Sequence, residues 1–64
     1  MVYDLDTYRA ANLLITRYGD NASIEASRMI DRMSDLADTE GQLVWRRIKR
    51  AVEALQAGPN EALH

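Results

Sequence analysis

The stretch from Thr39 to Gly58, T-E-G-Q-L-V-W-R-R-I-K-R-A-V-E-A-L-Q-A-G, decides the fold class because both ends of a helix are written into it. Thr39-x-x-Gln42 matches a capping box, in which a hydroxyl and an amide satisfy free backbone N–H groups at the helix start. Asp38 is a rival cap, and Glu40 suits the first turn under either arrangement. At about 100° per residue, Val44, Trp45, Ile48, Ala51, Val52 and Leu55 fall on one side, the signature of an amphipathic helix. Gly58 and Pro59 are expected to end it, through a left-handed glycine and a residue without an N–H. The prediction is a helix over about 40–57 with a frayed tail over 59–64, and Trp45 as its core anchor.

Two further helices are expected upstream, over about 5–18 and 22–37. Asp4 or Asp6 can cap the first, which carries Leu5, Tyr8, Ala11, Leu14, Ile15 and Tyr18 on a broad apolar arc and ends at Gly19. Asp20, Asn21 or Ser23 can cap the second. Its narrow stripe of Ala22, Ala26, Met29, Met33 and Leu36, flanked by Ile30 and Ala37, suits close approach of another helix. The outer residues Glu25, Arg28, Asp31, Arg32 and Asp35 alternate in sign and read as a solvated face.

Short links between amphipathic helices imply antiparallel neighbours, so the expected architecture is an all-α, three-helix up-down-up bundle, packed or intertwined with a second copy as a homodimer. The 64 residues form one domain at most. Such a small core usually needs a staple, and the absence of cysteine removes the disulfide option. Oligomerisation is the common alternative, in one form of which a helix is exchanged with a second subunit.

The net charge of −2 argues against a protein that coats nucleic acid or an anionic membrane over its whole surface. The opening M-V-Y-D-L-D lacks a basic region followed by an apolar run, and no stretch is apolar enough to span a bilayer, so a cytoplasmic location is expected. No glycine-rich phosphate loop, metal-ligand spacing or nucleophile–base pair is legible; neither enzymatic activity, a cofactor nor a small-molecule substrate is expected.

The candidate sites are therefore surfaces. Leu43 falls off the core arc and shares a face with Arg47 and Arg50; Leu13 and Ile24 also fall off their arcs. Leu43, Arg47 and Arg50, with Leu13, make up the candidate surface for a protein partner or a second copy. Arg46, Arg47, Lys49 and Arg50 make up an alternative nucleic-acid surface of helix-turn-helix type. Asn12, placed against the first apolar arc, is expected to be a structural polar residue.

The blocks A-A-N-L-L-I-T-R-Y-G-D-N-A (10–22), E-A-S-R-M (25–29), D-T-E-G-Q-L-V-W-R-R-I (38–48) and A-V-E-A-L (51–55) resemble a family of short, uncharacterised alphaproteobacterial helical proteins. The family pattern runs A-N-x-x-I-x-R-H/Y-G, then A-x-x-R, then G-x-x-x-W-x-x-I. The corresponding residues are Ala11, Asn12, Ile15, Arg17, Tyr18 and Gly19, then Ala22, Ala26 and Arg28, then Gly41, Trp45 and Ile48. Tyr18 stands where His is expected, Ala26 and Arg28 are one residue closer than the pattern, and Asp38-Thr39-Glu40 replaces a more usual Gly-Asp. The resemblance implies a compact helical domain and no particular activity.

Overall fold

A computed structural model of the chain describes residues 5–62, with side chains over residues 5–57. Helix α1 is Leu5–Tyr18, a 3-10 turn follows at Gly19–Asn21, helix α2 is Ala22–Asp35, and helix α3 is Thr39–Ala62. The fold is all-α, but the expected three-helix up-down-up bundle is corrected. No non-helical residue separates α1 from α2, so Leu5–Asp35 is one joined helical run and the second run begins at Thr39. The Gly19 signal predicts a stop between two helices, whereas locally it produces one tighter turn, because a 3-10 turn needs only a change in hydrogen-bond register.

Gly19 has φ +57°, a conformation glycine adopts without a Cβ clash. Its carbonyl accepts the N–H of Ala22, closing the 3-10 turn, and also the side-chain amide of Gln56 at 2.8 Å. Asn21 precedes α2 without a side-chain cap bond, so of the three candidate caps none acts through its side chain on this helix start. The candidate cap Asp4 lies outside the described residues, whereas Asp6 sits in the first turn of α1 with Arg17 in the last, complementing the helix dipole.

α2 ends at Asp35, two residues before the expected limit. The N–H of Asp38 donates to the carbonyl of Met33 at 2.8 Å, and that of Ala37 to Ser34 at 3.0 Å. This nested pair is a Schellman closure, with Ala37 at φ +56° in the position that glycine usually fills. The turn then delivers Asp38 as the cap of α3: its Oδ1 accepts the N–H of Gly41 at 2.8 Å. At the other end α3 runs through Gly58 and Pro59 to Ala62, past the expected stop, and the expected tail is helical up to that residue while 63–64 lie outside the described residues. Helical φ is open to both residues, and the missing N–H of Pro59 frees the carbonyl of the exposed Leu55, where water can serve it.

α2 and α3 run antiparallel as a long hairpin. Met33 lies beside Gly41 near the turn, and Ser23 Oγ donates to Glu53 Oε2 at 3.4 Å at the far end. Both α1 and α2 pack on α3, and the α2–α3 contact is the most extensive. The centre is built from small side chains: Ala11, Ala22 and Val52 are fully buried, with Ile48 and Ala51 beside them. Ala26 is also buried. Alanines let the helices approach closely, and close approach leaves room for a valine at the centre but not for an indole. Trp45 is accordingly half-buried at the edge of the cluster, alongside Tyr8, Leu14 and Ile15, and is not the central anchor.

Several residues of the expected apolar arcs are exposed: Leu5, Tyr18, Leu36, Val44 and Leu55. α3 has 24 residues against 14 in each partner helix. At 1.5 Å per residue it is about 15 Å longer than either, so part of its apolar side has nothing to cover it.

Candidate functional site

The α2–α3 hairpin leaves an open groove of about 540 Å³ along one side. Its α3 wall carries Leu43, Arg46, Arg47, Lys49 and Arg50, and the facing α2 wall carries Ile30 and Asp31. The two residue sets singled out on this helix therefore meet in one place. Leu43 is half-exposed in the groove, so its off-arc position on α3 translates into surface.

Spacing explains the arrangement. Arg46, Arg47 and Arg50 lie three, four and seven positions after Leu43, which stacks all four on one strip of α3. The core residues Ile48 and Val52 occupy the opposite side and fix the rotation of the helix, and the antiparallel register then sets Ile30 and Asp31 across from that strip.

The groove holds four cations and two carboxylates, Asp31 and Glu53. None of the four cations is in an ion pair among the described residues, while Glu53 accepts the Ser23 hydroxyl. Arg28 instead pairs with Glu25 at 3.5 Å on the outer face of α2. With its guanidinium largely in solvent, that pair contributes little to stability. Like charges at three- and four-residue spacing, such as Arg46 with Arg50 and Arg47 with Arg50, cost about 0.2–0.5 kcal/mol per pair in a helix. An anion in the groove relieves that repulsion, and an apolar side chain beside it covers Leu43 and Ile30.

The remaining candidates lie elsewhere. Leu13 is exposed on α1 and does not line this groove; Ile24 is exposed on α2. Asn12 is exposed, so it is not a polar group held against the apolar arc, because α1 turns only its Ala11 edge fully into the core. Ile30 and Asp31 were missed as site residues. Their sequence signal is only a flank of the α2 stripe and one member of a mixed-charge run, and nothing local says which helix they face.

Among the described residues no group of three or more His, Cys, Asp or Glu could hold a metal ion, and no helix is long and apolar enough to cross a membrane. Comparison of the chain with protein-family models, with curated proteins and with solved structures gives no match.

Proposed function

We propose that this small helical domain is a non-enzymatic interaction module that binds an acidic, amphipathic protein segment along the α2–α3 groove. The observation that carries this reading is the placement of Leu43 and Ile30 beside four cations that have no ion-pair partner among the described residues. An amphipathic helix offers a matching surface, with an apolar anchor every three or four residues and carboxylates flanking it. Leu43 is the anchor contact; Arg46, Arg47 and Arg50 supply charge complementarity, which speeds encounter and selects against basic partners. A second copy of the chain is one protein able to offer such a segment, and homodimer formation is the self-directed form of the same contact.

Competing nucleic-acid recognition would use the same cations, Arg46, Arg47, Lys49 and Arg50. The antiparallel hairpin weighs against it, because helix-turn-helix pairs cross at about 90–120° and present the second helix free of the first. Here α2 accompanies α3 from Met33–Gly41 to Ser23–Glu53 and places Asp31 among the cations.

The test is a parallel capture from native lysate on immobilised wild type, Leu43→Asp and Arg47→Glu/Arg50→Glu, with mass spectrometry of what is retained. The expected result is an acidic protein held by the wild type and lost from both variants. Equal capture by all three forms would remove the groove from the reading, and salt-dependent retention on duplex DNA that depends on the four cations would replace it.

A further inference from the structure

The joint between α1 and α2 is one short turn. Within the run Leu5–Asp35 the backbone departs from α geometry around the 3-10 turn Gly19–Asn21, with Tyr18 at φ −115°, ψ −8° and Asn21 at φ −90°, ψ 3°, and only Gly19 has positive φ. A Cβ built on Gly19 would meet nothing within 4 Å, so the residue is glycine for its dihedral and not for a close neighbour. The joint is held to the rest of the molecule by the Gln56 amide on the Gly19 carbonyl, at 2.8 Å.

We propose that Gly19 is a hinge through which α1 is exchanged between two copies of the chain. The docking surface is the α3 face formed by Ile48, Ala51 and Val52, and its second occupant is the α1 of another copy. If Gly19 rotates to negative φ and Tyr18 and Asn21 relax to α geometry with it, α1 and α2 form one continuous helix. The Gly19 carbonyl then turns along the helix axis to accept the N–H of Ser23 in the ordinary i to i+4 pattern, and that reorientation releases Gln56. Opening uncovers Ala11 with its neighbours Tyr8, Leu14 and Ile15 on one side and Val52 on the other. Such surface is unfavourable in water, so an open single copy does not accumulate. Two open copies recover the same contacts in trans, which makes the exchange depend on concentration. This inference is independent of the groove, since Leu43 and the four cations line a groove walled by α2 and α3 and do not belong to the cluster around Val52.

Substitution at the hinge gives the test. In Gly19→Ala the closed form carries an alanine in the left-handed region and the open form gains a better helix former, each worth about fivefold in the hinge equilibrium. Two hinges open per dimer, so the association constant rises on the order of several hundredfold. Gly19→Asn, whose side chain tolerates the left-handed region, stays near wild type. Gln56→Ala removes the clasp and raises the constant on the order of tenfold, from the modest worth of one hydrogen bond counted twice.

Light scattering across a concentration series reads these constants, with circular dichroism for helix content and each variant repeated in a Leu43→Asp background. A dimer of Gly19→Ala with undiminished helicity that persists with Leu43→Asp supports exchange. A Gly19→Ala protein that stays monomeric and only melts earlier overturns it, as does a dimer that Leu43→Asp dissolves. Should Gly19→Ala fail to fold, an unchanged constant in Gln56→Ala overturns it equally.

Discussion

The Asp38 carboxylate reaches the N–H of Gly41 at 2.8 Å, and a Cβ built on Gly41 would stand 2.7 Å from the other oxygen of that carboxylate and 2.6 Å from Met33 Sδ. The cap of α3 and the last turns of α2 thus meet over a residue with no side chain. Asp38 satisfies one free donor of the helix start, and Gly41 makes room for it and for the Met33 thioether that closes the hairpin.

Asp38→Ala is expected to destabilise the domain by about 1 kcal/mol through loss of that cap. Thr39→Ala is expected to cost less than about 0.5 kcal/mol, as a surface change away from a cap. Urea unfolding midpoints of the two variants check the order; a larger loss for Thr39→Ala would restore the capping box as the start of α3.

Gly41→Ala gains about 1 kcal/mol of helix propensity, and overpacking in a tight site costs about 1–3 kcal/mol. The expected net is destabilisation by about 1 kcal/mol, because the Asp38 carboxylate and Met33 must both move. Pairing it with Asp38→Ala should give less than the sum of the single effects, since both act on one cap.

Ala37→Gly is expected to stabilise by about 0.5–1 kcal/mol, because glycine adopts a positive φ without the Cβ penalty that alanine carries there. In a domain of this size about 1 kcal/mol raises the melting temperature by about 4–8 °C, which a thermal scan resolves. A lower melting temperature would refute the Schellman assignment.

Val52→Ala removes two methyl groups from the largest fully buried side chain and should cost about 2–3 kcal/mol from lost burial and the cavity left behind. Leu43→Asp, on the exposed strip of the same helix, should stay within about 0.5 kcal/mol of wild type. Equal losses would mean that the core side of α3 is misplaced.

Much of this arrangement was legible before any coordinates. Residue spacing alone implies that the chain is helical, that its turns fall near Gly19 and Asp38, that Ile48, Ala51 and Val52 face inward, and that Leu13, Ile24 and Leu43 lie off the core arcs. Those properties follow from local spacing and from the backbone freedom of single residues, both carried within a few neighbouring positions. It took the packing of the helices to show that Leu5–Asp35 is one joined run, that Asp38 and not Thr39 caps α3, and that Trp45 yields the centre to Val52 and the buried alanines around it. The same packing has Ile30 and Asp31 complete the groove opposite Leu43. Periodicity assigns each side chain an angle around its own helix, whereas coverage depends on the length, register and closeness of a second helix. A 24-residue α3 against 14-residue partners leaves Leu55, past the Ser23–Glu53 contact, exposed at an angle that a stripe alone would bury.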